Sequence, residues 1–339
     1  MIRRTVIAAL LVASLSIPTA ALAQENIPPD KDDAPSRYLP TPPVEYPGGV
    51  HSLRDVTFAE LSGFRPLTLD LYLPPDGGAP RPVIVFVHGG AWIHRTARDG
   101  GTFPDFPAVL ASYAARGYVV ASVNYRFSSE ARFPGPVMDV EMAIQWLRGH
   151  ATAYNIDTSR FVAWGSSAGS QIATLIGTGC GATDLTPPAG RTPQPSACVQ
   201  GVIDWYGIID LESHAADLGK DDSSGINKSE DAYLGCPVHQ CPAGLARSAS
   251  PLAYIDAHDP PFLIQHGLAD VTVSPKQAQR LHDALRAAGV PSELVMYPGV
   301  SHGFARVPGG GPDDAVNRQA LAKVTEYLDH YFPVSPAKR

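Results

Sequence analysis

Gly165-Ser166-Ser167-Ala168-Gly169 sets a serine at the centre of a Gly-x-Ser-x-Gly pentapeptide. It follows Phe161-Val162-Ala163-Trp164, an apolar run of strand length. It precedes residues 170–176, where Ile172, Ala173 and Ile176 fall on one helical face. At a strand-to-helix junction this spacing makes a sharp turn whose flanks admit only glycine, so Ser167 projects alone above a sheet. The backbone N–H groups beside it face a helix N-terminus, where negative charge is favoured. That is the setting of a nucleophilic hydroxyl. The competing reading is an ordinary turn, because Gly and Ser are common loop residues.

A hydroxyl nucleophile needs a base, a group that orients the base, and donors for the oxyanion that forms on attack. His88-Gly89-Gly90-Ala91-Trp92 follows residues 82–87, which read as a fully buried parallel strand. Paired glycines let N–H groups turn outward, so those of Gly90 and Ala91, joined by that of Ala168, are the expected oxyanion donors. His88 reads as a brace for this loop. Asp270 lies three residues beyond Gly267, where the apolar run 262–266 ends. Open α/β sheets place their sites at that edge, and a carboxylate there can hold an imidazole in one tautomer. Asp270 also fits a cap ahead of Ser274-Pro275, and Asp204, Asp210 and Asp256 are alternative acids. His302, in Ser301-His302-Gly303-Phe304, follows the strand-like run 293–297 and the turn Pro298-Gly299. It completes the chain order Ser…Asp…His.

Together these stretches resemble the α/β-hydrolase superfamily, and within it the hormone-sensitive-lipase-like and feruloyl-esterase-like esterases. The resemblance is carried by His88-Gly89-Gly90-Ala91-Trp92, Asn124-Tyr125-Arg126, Gly165-Ser166-Ser167-Ala168-Gly169, His266-Gly267-Leu268-Ala269-Asp270 and Ser301-His302-Gly303, and spans residues 56–332. Lipase-like members carry a third glycine where Ala91 stands. Ala91-Trp92 is closer to the loop of feruloyl-esterase-like enzymes and kynurenine formamidases. The resemblance implies an α/β-hydrolase fold and a serine carboxylesterase acting on short-acyl or aryl esters. Its rivals are an arylformamidase or other amide or peptide hydrolase, and a non-catalytic binding module.

The residues that position this chemistry alternate between strand-like and helix-like runs. Residues 56–60 and 67–73 read as a hairpin, with Leu67, Leu69, Leu71 and Leu73 alternating with Thr68, Asp70 and Tyr72. Strands at 82–87, 119–124, 161–164 and 202–203 alternate with helices at 106–116, 137–149 and 170–176. Helices at 275–288 and 314–331 follow, the last placing Leu321, Val324 and Leu328 inward. Such repeated units give a mostly parallel sheet with helices on both faces and an antiparallel N-terminal edge. A single catalytic domain is expected over 51–335. Insertions near 177–200 and 207–258 would lie over the pocket as loops or a small cap. Trp92, Trp205 and Phe304, with Phe127 and Tyr206, are candidates to line that pocket, and core packing is their competing role.

Arg3 and Arg4, the apolar run 5–17 and Ala21-Leu22-Ala23 form a targeting segment over 1–23. A Pro-rich arm over 24–50 follows. Export to the periplasm or beyond is expected, without a stable membrane anchor. That compartment suits the four cysteines, which admit three pairings. Cys236 and Cys241 are close enough to close a small ring, leaving Cys180 with Cys198. A zinc site at Cys236, His239 and Cys241 lacks a fourth ligand at the usual spacing. The net charge of −7 argues against nucleic acid or an anionic membrane as partner. A small-molecule ester is the expected partner, no cofactor or metal is expected, and the oligomeric state is open.

Overall fold

The computed structural model describes residues 42–75, 77–187, 194–221, 228–307 and 310–334. The expected targeting segment lies outside the described residues, as do most of the Pro-rich arm and parts of the 177–200 and 207–258 stretches. The described residues open with three antiparallel strands, β1 (Val44–Tyr46), β2 (Val50–Ala59) and β3 (Leu67–Leu73). The leucine alternation does pair 67–73 with its neighbour, although β2 begins well before residue 56. β1 itself falls inside the stretch read as an arm. Its Tyr46 ring packs 5.8 Å from that of Tyr72, and a three-residue edge strand among prolines leaves no periodicity to detect.

From there strands and helices alternate. The order is β4 (Arg81–Val87), α1 (Phe106–Ala115), β5 (Val119–Val123), α2 (Gly135–Gly149), β6 (Ile156–Ser166), α3 (Ala168–Thr178) and β7 (Gly201–Trp205). Three short helices follow, α4 (His214–Asp217), α5 (Lys228–Leu234) and α6 (Leu245–Ser248). The chain then returns through β8 (Phe262–Gly267), α7 (Pro275–Ala287), β9 (Ser292–Tyr297) and α8 (Asp314–Tyr331). The strands form one sheet in the order β1-β2-β3-β5-β4-β6-β7-β8-β9. Pairing is parallel from β5 through β9 and antiparallel at the N-terminal edge. This is the mixed α/β-hydrolase sheet that the resemblance implies.

Side-chain alternation along the central strands divides the core in two. Val83, Val85 and Val87 of β4 join Val140 and Ile144 of α2, Ile172 and Leu175 of α3 and Leu281 of α7 on one face. Ile84 and Phe86 join Phe106 and Leu110 of α1 and Val324 and Leu328 of α8 on the other. Leu321 packs against that second cluster while partly exposed. Helix starts follow from local chemistry. Asp105 accepts from Ala108 N, Ser274 from Lys276 N ahead of Pro275, and Asp313 from Ala315 N and Val316 N.

Residues 207–258 hold α4, α5 and α6 and are tied down by polar contacts to α7. Gln277 Oε1 accepts from Ile209 N and Asp210 N at 2.9 and 2.8 Å, and Arg280 pairs with Asp217 at 2.7 Å. Two disulfides, Cys180–Cys198 and Cys236–Cys241, close the 177–200 and 207–258 stretches as the spacing suggests. Arg148 of α2 stacks on Phe161 and donates to Cys198 O at 2.6 Å, which holds the longer ring against the domain.

Loop-closure entropy makes these rings unequal. Cys198→Ser should lower unfolding free energy by about 3 kcal/mol and Cys241→Ser by about 2 kcal/mol. Denaturant midpoints measured with intact and reduced protein would show this. Non-reducing peptide maps showing free thiols or cross-pairing between the rings would contradict the assignment.

Candidate active site

The register of the sheet brings the two glycine-rich loops side by side. β4 and β6 are parallel neighbours with Val87 opposite Gly165, so 88–91 and 166–168 leave the same edge together. A Cβ on Gly165 would lie 2.4 Å from Gly169 O, and one on Gly169 would lie 2.2 Å from Val87 O. The turn therefore excludes any side chain at either flank. Between them Ser167 has φ 54° and ψ −123°. Such a backbone costs of the order of 1–3 kcal/mol for a non-glycine residue. It is held by Ser167 N donating to Trp205 O at 2.8 Å and by Ser167 O accepting from Ser170 N and Gln171 N at the start of α3.

Ser167 is only partly buried, whereas its neighbour Ser166 is 2% exposed. Ser166 Oγ accepts from Gly89 N at 3.1 Å, which stitches the two loops together. His302 stands on a short turn after β9. Its Nε2 lies 2.8 Å from Ser167 Oγ and its Nδ1 lies 2.7 Å from Asp270 Oδ2. A carboxylate only accepts, so Nδ1 carries the proton and Nε2 is free to accept from the serine hydroxyl. The Tyr206 ring meets the His302 ring edge-on at 5.0 Å.

Asp270 is buried and held by three donors. Thr272 N and Val273 N reach Oδ1 at 2.8 and 2.9 Å, and His302 reaches Oδ2 at 2.7 Å, with His266 Nε2 in contact at 3.2 Å. Burial alone would raise its pKa, but the imidazoles of His266 and His302 outweigh that and hold it well below the usual carboxylate range. Its folded value lies below its unfolded one. Ionised Asp270 therefore stabilises the fold at neutral pH, and that contribution fades as pH drops below about 4. The alternative acids are engaged elsewhere. Asp204 accepts from Thr174 Oγ1 and Gly207 N, Asp210 from Glu212 N, and Asp256 from His258 N.

In the loop after β4, Gly90 has φ 111° and a Cβ there would lie 2.1 Å from His94 O. Ala91 also has a positive φ, 53°. Gly90 O accepts from Ile93 N and His94 N. The N–H groups of Gly90, Ala91 and Ala168 donate no hydrogen bond among the described residues. That leaves them open to an oxygen bound beside Ser167. His88 is the brace: it stacks on Tyr125 at 4.5 Å, and its Nδ1 donates to Gly89 O at 2.7 Å. Burial pushes its pKa down to about 4, so the ring is neutral at physiological pH.

The aromatic pocket expected from Trp92, Trp205 and Phe304 is not formed by them, since all three are fully buried. Trp92 stacks on Tyr233 at 4.5 Å and donates to Gln171 Oε1 at 3.1 Å. Trp205 packs among Phe103, Trp164 and Phe304. Trp92 and Phe304 have φ of 58° and 62°, and this left-handed backbone carries rings next to the site into the core. Sequence periodicity contains no sign of such a turn. The tie from Ser166 to Gly89 and the contact of His266 with Asp270 are likewise invisible in sequence, because both join residues distant in the chain or hidden in a strand.

With this geometry in hand, comparison with known proteins is informative. Residues 69–285 match the BD-FAE family. Esterase LipC of Mycobacterium tuberculosis is 31% identical over 245 residues, 71% of this chain and 58% of LipC. This chain thus spans a little over half the length of the curated relatives it matches. Among solved structures, propionate-bound esterase 2 of Thermogutta terrifontis is similar at 26% identity and TM-score 0.66, covering 83% of this chain and 95% of that one. The same esterase has also been solved with butyrate bound and phosphorylated by paraoxon. A bifunctional GH43-CE protein of Bacteroides eggerthii is 30% identical with TM-score 0.67, covering 81% of this chain and 38% of its own.

The exposure difference between the two serines yields a direct test. A fluorophosphonate should label Ser167 and leave Ser166 unmodified, and Ser167→Ala should abolish labelling. Ser166→Ala should still label, more slowly, because it loses only the tie to Gly89 N. A peptide map with the adduct on Ser166 would refute this.

Proposed function

Since the chain belongs to the BD-FAE family, we propose that it hydrolyses carboxylic esters by two-step acyl transfer, with Ser167, His302 and Asp270 as catalytic residues. The observation that carries the proposal is the single imidazole of His302 bonded to Ser167 Oγ on one side and Asp270 on the other. Ser167 Oγ attacks the ester carbonyl as His302 Nε2 takes its proton. Asp270 keeps the ring oriented and stabilises the imidazolium. The N–H groups of Gly90, Ala91 and Ala168 receive the oxyanion, each worth about 3–4 kcal/mol of barrier. His302 returns the proton to the departing alcohol, and water repeats the sequence on the acyl-enzyme.

Short-acyl or aryl esters are the proposed substrates. An alkoxide leaves without the assisted protonation an amide nitrogen requires, and among the described residues His302 is the one acid hydrogen-bonded to Ser167. The Thermogutta relative, solved with propionate and with butyrate, supports small acyl groups. Exposed Ile93, Leu268 and Val271, flanking the loop after β4 and Asp270, offer apolar contact. Similarity to a carbohydrate esterase from gut microbiota, 25% identical with TM-score 0.66, supports adding a sugar-borne acyl ester to the set. Export is part of the proposal, supported by the leader-like residues 1–23 and by two disulfides, which persist in oxidising compartments. Among the described residues, no helix is long and apolar enough to cross a membrane. Ala91 in place of a third glycine keeps an arylformamidase as the competing reading.

Asp270→Asn should lower kcat by about four orders of magnitude, by analogy with the tautomer effect of a triad acid. A comparable loss from Asp204→Asn or Asp256→Asn, with Asp270→Asn active, would show the acid to be misassigned. The substrate reading is tested by kcat/KM for 4-nitrophenyl acetate, butyrate and palmitate, methyl ferulate, an acetylated sugar and N-formylkynurenine. Efficiency on palmitate or N-formylkynurenine above that on every short or aryl ester would overturn it.

A further inference from the structure

We infer that His266 is a positioning residue for the proposed base: its Nε2 packs against the same Asp270 Oδ2 that holds His302 Nδ1, and so sets the orientation of the His302 ring. The inference rests on the ester-hydrolase reading above.

His266 is the penultimate residue of β8 and is fully buried. Its Nε2 lies 3.0 Å from Val273 O and 3.2 Å from Asp270 Oδ2. A backbone carbonyl only accepts, so Nε2 carries the proton and donates to Val273 O, with Asp270 Oδ2 in close contact beside it. The tautomer is thereby fixed, and Nδ1 is left as a buried lone pair without a hydrogen bond among the described residues. Leaving a polar atom unpaired in the interior is unfavourable. A leucine or phenylalanine would fill this strand position without that penalty. What the imidazole adds over a hydrocarbon is a polar N–H facing Oδ2.

That contact has a geometric consequence. Two backbone N–H groups fix Oδ1 and two imidazoles abut Oδ2, so the carboxylate plane is held, and the ring bonded to it inherits that orientation. Other titratable groups face this cluster. Asp204 of β7 interacts with His266, and Tyr206 packs on His302. His214 of α4 places Nε2 2.9 Å from Thr272 O and Nδ1 2.7 Å from Glu230 of α5.

The test compares kcat and KM for wild type, His266→Phe and His266→Gln on 4-nitrophenyl butyrate. His266→Phe removes the polar contact. It should lower kcat about tenfold and leave KM within about twofold. His266→Gln keeps an N–H near the Nε2 position and should restore most of kcat. The Nε2–H proton resonance of His266 should shift when His302 is replaced by alanine. That measurement decides the matter if His266→Phe does not fold. A kcat for His266→Phe that matches wild type, equal impairment in both variants, or a resonance indifferent to loss of His302 would each overturn the inference. If wild type hydrolyses none of the esters, the functional reading fails and takes this inference with it. An active wild type with an unchanged variant kcat removes this inference alone.

Discussion

Everything at the site depends on how closely the backbone after β4 meets the turn after β6. Gly169 lies so near the carbonyls of Val87 and His88 that a Cβ would stand 2.2 and 2.3 Å from them. Only that approach lets the N–H groups of Gly90 and Ala91 share a space with Ser167. Parallel pairing with Val87 opposite Gly165 fixes the approach along the strand, and the bond from Gly89 N to Ser166 Oγ locks it across the gap. The strained backbone of Ser167 is held by its neighbours in β7 and α3, so local strain is met by global order.

The same edge delivers the other two groups by different means. β8 ends at Gly267, and the loop folds back so that Asp270 Oδ1 accepts from Thr272 N and Val273 N. β9 ends nearby, because Gly267 pairs with Tyr297, and His302 is carried over the sheet on a turn packed by Phe304. The three side chains thus come from three strand ends, Asp270 being set by hydrogen bonds within its own loop and Ser167 by a bond to the end of β7. A network of this kind polarises along its length, since each donor on Asp270 alters what the carboxylate offers to His302.

The two disulfide-bearing stretches belong to a separate layer of organisation. Arg148 and Gln200 hold the first against α2 and β6, while Gln277 and Arg280 of α7 hold the second. The pair of His214 with Glu230 links α4 and α5, and His214 also contacts the carbonyl of Thr272 in the acid loop. The insertion is therefore mechanically continuous with the loop that carries Asp270.

The sheet and its helices were legible in the sequence, and so were Ser167, Asp270 and His302 as candidates, which the structure brings within hydrogen-bond distance of one another. Each rests on local chemistry: unbroken apolar runs such as 82–87, glycines at both flanks of a turn, and polar residues just past strand ends. The 18-residue and 5-residue cysteine separations likewise left one economical pairing, which the structure contains. Contacts between distant residues were not legible. Trp92 and Phe304 sit beside chemically interesting residues, yet a positive φ turns their rings into the core, and no periodicity encodes that. His266 looked like any strand-end residue until tertiary folding set its Nε2 against Asp270. β1 was hidden because three residues among prolines gain their strand character from pairing with β2, not from their own composition. Local propensity determines the elements, and the assignment of each side chain to core or site waits on which elements pack against it.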